Sequence, residues 1–146
     1  MTTYKQPISV LVVIHTSDLE ILLLERKAHP GFWQSVTGSR ETNEALSDTA
    51  QREVFEETGL LTQQFKLTDW HQTNTFEIFE QWRYRYAPQV THNTEHVFSL
   101  ELPAKQAIKI SPDEHRAYLW LPLHEAAERC FSWSNRDAIL ALSERN

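Results

Sequence analysis

The sequence predicts an α/β protein in which helices cover both faces of a mixed β-sheet. Runs of β-branched and aromatic residues of strand length recur along the 146-residue chain. An acidic helix is predicted in the first half of the chain, and two shorter helical patterns follow the last strand. Such an arrangement favours a layered domain. The length suits one domain that spans residues 1–146.

The first elements are predicted to form a hairpin. Residues 8–15 are mostly β-branched and apolar, which is typical of a buried strand. A Ser-Asp pair that favours a turn follows, and residues 21–26 form the returning strand. A His-Pro-Gly sequence at 29–31 then breaks the pattern. Residues 32–37 are predicted to be a short extended segment that leads into the helix.

The acidic helix is predicted over residues 44–58. Thr42 or Asn43 is the expected N-cap, because short polar side chains accept from the first free N–H groups. Gly59 fits the left-handed position that follows many helices.

The second half of the chain is predicted to add four strands and two helices. The helices, residues 123–130 and 135–145, carry apolar residues at helical spacing. The strands are predicted at residues 65–70, 76–86, 96–102 and 117–121.

Three glutamates of the acidic helix point in an unexpected direction. With about 100° per residue, Glu53, Glu56 and Glu57 overlap the apolar stripe instead of lying opposite it. Acids are seldom buried unless they are paired or bind a metal. We therefore expect a cation against this side of the helix.

Composition narrows the class of protein. A net charge of −6 argues against a general nucleic-acid binder, whose surface would be basic. Cys130 is the single cysteine, so an intramolecular disulfide is excluded and a reducing compartment is favoured. No signal peptide or membrane span is predicted, which indicates a cytoplasmic protein without a membrane partner.

Residues 38–60 fit the spaced pattern G-x5-E-x7-R-E-U-x-E-E-x-G-U, in which U is aliphatic. On these residues the chain resembles the Nudix hydrolase family. The resemblance implies an α/β/α sandwich with a mixed central sheet. It also implies hydrolysis of a nucleoside diphosphate linked to another group, with magnesium as cofactor and manganese as a substitute. Glu53 and Glu57 would be the foremost metal ligands, followed by Glu56.

Residues around these ligands have predicted supporting roles. The planar fork of Arg52 suits a neighbouring carboxylate, and Glu44 is placed to pair with it. Gly38 and Gly59 are expected to serve backbone conformation. Glu114 follows a Ser-Pro-Asp loop, where it would bind metal or activate water as the general base. Alternatively, the general base is one of the glutamates of the spaced pattern at residues 38–60. Glu114 would then be an ordinary exposed acid of a loop.

Further stretches are similar to one bacterial branch of this family, which removes pyrophosphate from 7,8-dihydroneopterin triphosphate in folate biosynthesis. They are KQPISVLVVI (5–14), FWQSVTGS (32–39), FEIF (76–79), RYAP (85–88), NTE (93–95) and SWSNR (132–136). The similarity implies that Lys5 and Arg26 contact phosphates, and that Glu77 accepts hydrogen bonds from the pterin. The other implied substrate contacts are Thr37, Phe76, Ile78, Phe79 and Ser132.

Two other functions fit the same motif. One is hydrolysis of a nucleoside triphosphate such as dATP or an oxidised purine nucleotide, with a different base pocket. The other is an inactive module that binds a nucleotide or a partner, although this chain keeps every carboxylate of the motif. In each case the expected ligand is a small phosphorylated molecule.

Overall fold

The computed structural model describes residues 3–145 and shows a seven-stranded mixed sheet flanked by three α-helices. The strands are β1 (Ile8–Thr16), β2 (Glu20–Arg26), β3 (Trp33–Gln34), β4 (Val36–Ser39), β5 (Lys66–Glu77), β6 (His92–Leu102) and β7 (His115–Pro122). The helices are α1 (Leu46–Thr58), α2 (Leu123–Arg129) and α3 (Trp133–Arg145). Within the described residues, no helix is long and apolar enough to cross a membrane.

Strand β1 lies at the centre of the sheet. It runs parallel to β6 and antiparallel to β2 and β4. The main path of the sheet is β3-β2-β1-β6-β5, and β7 extends it by pairing with β2. A strand buried on both faces needs a nearly continuous apolar sequence, which β1 has.

The two faces of β1 pack against different helices. Val10 and Val12 belong to one apolar cluster, which includes Ala50 and Val54 of α1. Leu11 and Val13 belong to a second cluster, which includes Ala126 of α2 together with Ala138, Ile139 and Leu142 of α3. Alternate side chains of a strand point to opposite faces, so one strand supplies both cores. The predicted α/β/α architecture is confirmed.

The predicted N-cap of α1 is wrong. The helix begins at Leu46 behind Ala45, and no side chain caps it. Thr42 and Asn43 lie within a preceding turn, in which the N–H of Glu44 donates to the carbonyl of Glu41 at 3.0 Å. Gly59 does end the helix in the left-handed conformation, with φ 77°.

The predicted strand at 76–86 is also wrong. Strand β5 ends at Glu77, and residues 80–85 form a 3₁₀ helix. Arginine and aromatic residues alternate here with the period of a strand, but the chain turns, and Arg83 contacts the residues just before the turn. Arg83 Nε donates to the carbonyl of Ile78 at 3.1 Å, and its guanidinium pairs with Glu77 at 2.8 Å.

Candidate active site

Strand β4 passes directly in front of α1 at Gly38. A side chain at this position would collide with the carboxyl group of Glu53. The backbone of Gly38 does not have a positive φ, unlike Gly31 and Gly59. The glycine is therefore required by close approach and not by backbone conformation, which corrects the expectation from the sequence.

Glu53 and Glu57 lie side by side in the interior. Their exposed fractions are 8% and 2%. Burial raises the pKa of both carboxyl groups above the usual range, and that of Glu57 rises further because Glu53 adjoins it. Glu56, in contrast, is exposed at the edge of this pair. The inward direction predicted from helical spacing thus holds for two of the three glutamates.

Arg52 holds several carboxylates in place, as its planar donor group predicted. It donates to both oxygens of Glu44, at 2.8 and 3.0 Å. It also bonds Glu53 at 2.8 Å, Glu56 at 3.2 Å and the carbonyl of Ser39 at 3.0 Å. Hydrogen bonding from Arg52 lowers the pKa of Glu44 to about 2. Glu44 therefore has the predicted pairing role, and the network fixes α1 against β4.

Glu114 and His115 complete the cluster from the start of β7. Glu57, Glu114 and His115 each place a potential ligand atom within 4.8 Å of the others. The Glu114 side chain is exposed and His115 is buried. Burial, and secondarily Arg26, lower the pKa of His115 to about 4, so its imidazole is neutral at pH 7. A neutral ring contributes no charge to offset the carboxylates.

The residues of this cluster fit a divalent cation. Oε1 of Glu57 is buried without a hydrogen-bond partner among the described residues. The nearest nitrogen of His115 is 3.7 Å away, too long for a hydrogen bond. Leaving a buried carboxylate oxygen unpaired is costly, and a hard cation supplies the missing partner.

Three basic side chains lie between the cleft that holds the acidic cluster, here called the acidic cleft, and a neighbouring cavity. Lys5, Arg26 and Arg85 line both spaces. Loss of hydration, and then the positive charge of Arg85, lower the pKa of both Lys5 and Arg26. Arg26 is also held over the ring of Trp82 at 4.9 Å. Crowded positive charges of this kind suit a polyanion, which would relieve their repulsion.

The neighbouring cavity has a volume of about 410 Å³ and is large enough for a fused heterocycle. Aromatic side chains form one wall, where Trp82 contacts Phe79 and Phe131 edge to face. Polar residues of β6 and α3 also line the cavity: Asn93, Glu95, Ser134 and Asn135.

The predicted substrate residues all line this cavity, the acidic cleft or both. Thr37 accepts from Gln34 at 3.3 Å and borders both spaces. Ile78 is buried, whereas Phe79 is 52% exposed at the cavity rim. The carboxylate of Glu77 is engaged with Arg83. The remaining members of the set that line the cavity are Lys5, Arg26, Phe76 and Ser132.

The sequence SWSNR has a structural role as well as a place in the cavity wall. The hydroxyl of Ser132 accepts from the N–H of Asn135 at 3.2 Å, which caps α3. The Asn135 side chain accepts from the N–H of Ser35 at 2.8 Å and donates to its hydroxyl at 3.0 Å. These bonds fasten α3 to the segment before β4.

Several residues of the site were not predicted from the sequence. The sequence places Arg85 and Trp82 on a predicted strand, but in the structure both lie in the 3₁₀ helix that borders the cavity. His115 adjoins Glu114, but it lacks the spacing of a known metal motif. Asn93 and Glu95 lie in the quoted stretch NTE, and their alternation on a strand was the available signal.

Comparison with known proteins agrees with this geometry. Residues 5–142 match the model of the NUDIX domain family. The chain is 48% identical to dihydroneopterin triphosphate diphosphatase of Escherichia coli K12 over 139 residues, 93% of this chain and 91% of the relative. It is 42% identical to the Haemophilus influenzae protein of the same name over 142 residues, covering 95% and 89%. The solved structure of the E. coli dihydroneopterin triphosphate pyrophosphohydrolase superimposes with a TM-score of 0.91 and 45% identity, covering 99% of this chain and 100% of that one.

Proposed function

This chain belongs to the Nudix hydrolase family, and we propose that it hydrolyses 7,8-dihydroneopterin triphosphate to dihydroneopterin monophosphate and pyrophosphate. The observation that carries the proposal is the junction of two spaces. A ring-sized cavity and an acidic cleft share the cations Lys5, Arg26 and Arg85. A molecule with a flat ring at one end and a triphosphate at the other matches this order of chemical groups.

Nudix hydrolases use divalent metal ions, and we propose magnesium for this chain. Glu53 and Glu57 would hold it, since one is fixed by Arg52 and the other has an unpaired buried oxygen. Magnesium prefers such oxygen ligands and also binds substrate phosphates. When bound, the ion neutralises phosphate charge and lowers the pKa of a coordinated water.

The protein residues have separate tasks in the proposed reaction. Lys5, Arg26 and Arg85 orient the phosphate chain, and arginine provides two parallel donors to phosphate oxygens. The aromatic wall around Trp82 excludes water from the ring end. Water attacks a phosphorus of the chain, and Glu114 accepts its proton, because this exposed carboxylate has an oxygen within 4.8 Å of a ligand atom of Glu57.

A release assay tests the function directly. Purified protein is given dihydroneopterin triphosphate with and without Mg²⁺, and pyrophosphate and the monophosphate are quantified. We expect equal amounts of both products and no turnover after chelation. Reaction in ¹⁸O-labelled water shows which phosphorus is attacked, because the label enters one product only. Absence of pyrophosphate at any metal concentration, from dATP as well as from the pterin, would leave the inactive binding module as the better account.

Variants separate the two roles considered for Glu114. If E114Q lowers kcat at saturating Mg²⁺, the carboxylate accepts the proton. If it chiefly raises the Mg²⁺ concentration needed for half-maximal rate, the carboxylate is a metal ligand. The matched control is E128Q, which changes an exposed glutamate of α2 outside both cavities.

The main competing substrate is a purine nucleoside triphosphate such as dATP. It would use the same acidic cleft and the same three cations, so only the ring distinguishes the two substrates. Comparing kcat/KM for dihydroneopterin triphosphate and dATP on one preparation measures that preference. We expect the pterin to be preferred.

A further inference from the structure

One carboxylate has no role in the hydrolysis described above, although it lines the cavity of about 410 Å³ next to the acidic cleft, here called the ring cavity. Glu95 of β6 is only 5% exposed, and its Oε1 has no hydrogen-bond partner among the described residues. It also takes part in none of the ion pairs formed by residues 3–145. A buried carboxylate without a cation is expensive to maintain, so its retention in a cavity wall points to a ligand.

Two polar side chains adjoin the buried carboxyl group of Glu95. Burial raises the pKa of its carboxyl group, and hydrogen bonding from Ser134 and Asn74 opposes that rise. Asn74 lies directly across from Glu95 on β5, while Ser134 belongs to the first turn of α3. The carboxyl group of Glu95 therefore has polar neighbours on two elements.

A second unpaired acceptor lies two residues away on the same face of β6. Asn93 is 5% exposed, and its amide nitrogen donates to the hydroxyl of Ser9 at 2.7 Å. That bond fixes the amide, and its Oδ1 has no partner within the described part of the chain. Phe76 is the cross-strand neighbour of Asn93 and lines the same cavity. The wall therefore presents two buried acceptors beside an aromatic ring.

We propose that Glu95 determines ring specificity by accepting two parallel hydrogen bonds from an amino group and the adjacent ring N–H of the substrate. The inference deepens the proposed function and rests on it. The required substrate class is a 2-amino-4-oxopyrimidine fused to a second ring, which is the edge that a pterin presents. An ionised carboxylate is purely an acceptor, and its two oxygens match two neighbouring donors.

Adenine presents a different edge. Its amino group is a donor, but the adjacent ring nitrogen is an acceptor, so only one of the two bonds to an ionised carboxylate forms. A glutamine at position 95 would offer one acceptor and one donor, which complements adenine and opposes the pterin edge. The substitution E95Q is nearly isosteric and therefore exchanges ring preference with little change in volume.

The structure distinguishes Glu95 from Glu77, the carboxylate that family similarity suggested for this contact. Glu77 lies opposite His92 on the neighbouring strand, one residue out of step with Phe76 and Asn93. Alternate residues of a strand point to opposite faces. Its side chain is 67% exposed and already paired with Arg83 at 2.8 Å.

The experiment compares wild type, E95Q, E77Q and E101Q, with dihydroneopterin triphosphate and dATP as substrates in the presence of Mg²⁺. E101Q is the matched control, because Glu101 lies on β6 away from both cavities. We expect E95Q to lower kcat/KM for the pterin on the order of 100-fold, since a charged hydrogen bond is lost and two donors then face each other. Turnover of dATP by E95Q should be retained or increased, which also shows that the variant folds.

Binding of neopterin, which has the ring but no phosphates, is measured in parallel without metal by fluorescence titration. E95Q should weaken it, and E101Q should not. Equal losses on both rings in E95Q would make Glu95 a structural residue and overturn the inference, as would unchanged pterin preference or a selective loss in E77Q. If E95Q does not fold, E95D carries the same comparison, because it withdraws the carboxylate by one methylene. If wild type releases no pyrophosphate, the proposed function fails, whereas the neopterin titration still tests Glu95.

Discussion

Replacing Gly38 by alanine tests the geometry of the acidic cleft most sharply. A methyl group at position 38 would stand 2.0 Å from Cδ of Glu53 and 2.3 Å from both of its oxygens. Nonbonded carbon atoms rest at about 3.5–4.0 Å, so the carboxyl group must retreat by roughly 1.5 Å. Such a shift would break the 2.8 Å hydrogen bond between the Glu53 carboxylate and Arg52, or would displace the Arg52 guanidinium together with the carboxylate.

The expected effect on the reaction is large. A catalytic group misplaced by about 1 Å can cost roughly 100-fold in rate. A factor of 100 corresponds to about 2.7 kcal/mol of transition-state stabilisation. The backbone of Gly38 lies in β4 and has no positive φ, so alanine is compatible with the strand itself. The loss should therefore appear in kcat and in the Mg²⁺ requirement, with the fold preserved.

Pyrophosphate release at saturating Mg²⁺, together with thermal unfolding, checks this prediction. The matched control is G31A, which also adds one methyl group. Gly31 has φ 90° and no atom within 4 Å of the added methyl, so the variant should lose about 1 kcal/mol or more of stability and keep its kcat. If G38A retained a rate within about threefold of wild type, the close approach of β4 to Glu53 would not matter for catalysis, and this reasoning would be refuted.

Three further predictions follow from charges in the site. E57Q should reduce turnover by about 10³-fold or more. Burial raises the pKa of the Glu57 carboxyl group, so a neutral amide is better tolerated there than a charged carboxylate. The melting temperature of metal-free E57Q at pH 8 should therefore equal or exceed that of wild type. Arg52 lowers the pKa of Glu44 from 4.5 to about 2, so this pair stabilises the fold above pH 4.5 and loses its effect as the pH falls towards 2. Urea unfolding should show this contribution to the free energy of unfolding disappear at low pH in wild type, and E44Q should lack it at every pH. R85M should raise KM for the triphosphate about tenfold and leave neopterin binding unchanged, as fluorescence titration would show.

Local periodicity explains why much of the acidic cleft was predictable. The direction of Glu53 and Glu57 depends only on the rotation per residue of a helix. The same locality applies to Arg52 and Glu44, which are eight residues apart in the chain and joined by a hydrogen bond. The prediction of the helix start is wrong because an N-cap depends on only two or three residues, and several short polar residues precede α1. Here Thr42 and Asn43 lie in a backbone turn before the helix, and no side chain caps its first N–H groups.

The ring cavity was far less predictable, because its residues come from distant elements. The alternating arginines and aromatic residues before Tyr86 have the period of a strand, yet contacts to Glu77 and Ile78 fold them into a 3₁₀ helix. That turn places Arg85 where it lines both the acidic cleft and the neighbouring cavity, and it places Trp82 in the lining of that cavity.

The sequence by itself determined the acidic face of α1, because the spacing of residues along one helix sets their common direction. Glu77 and Glu95 both line the ring cavity, and only the tertiary structure decided which of them is buried there without an ion pair. Glu77 and Glu95 are both acids on strands, and nothing local distinguishes them. In the observed register Asn74 lies opposite the buried Glu95, whereas Glu77 is one residue out of step with this pair, is exposed and pairs with Arg83. Register depends on pairing between distant segments, which a single strand does not contain.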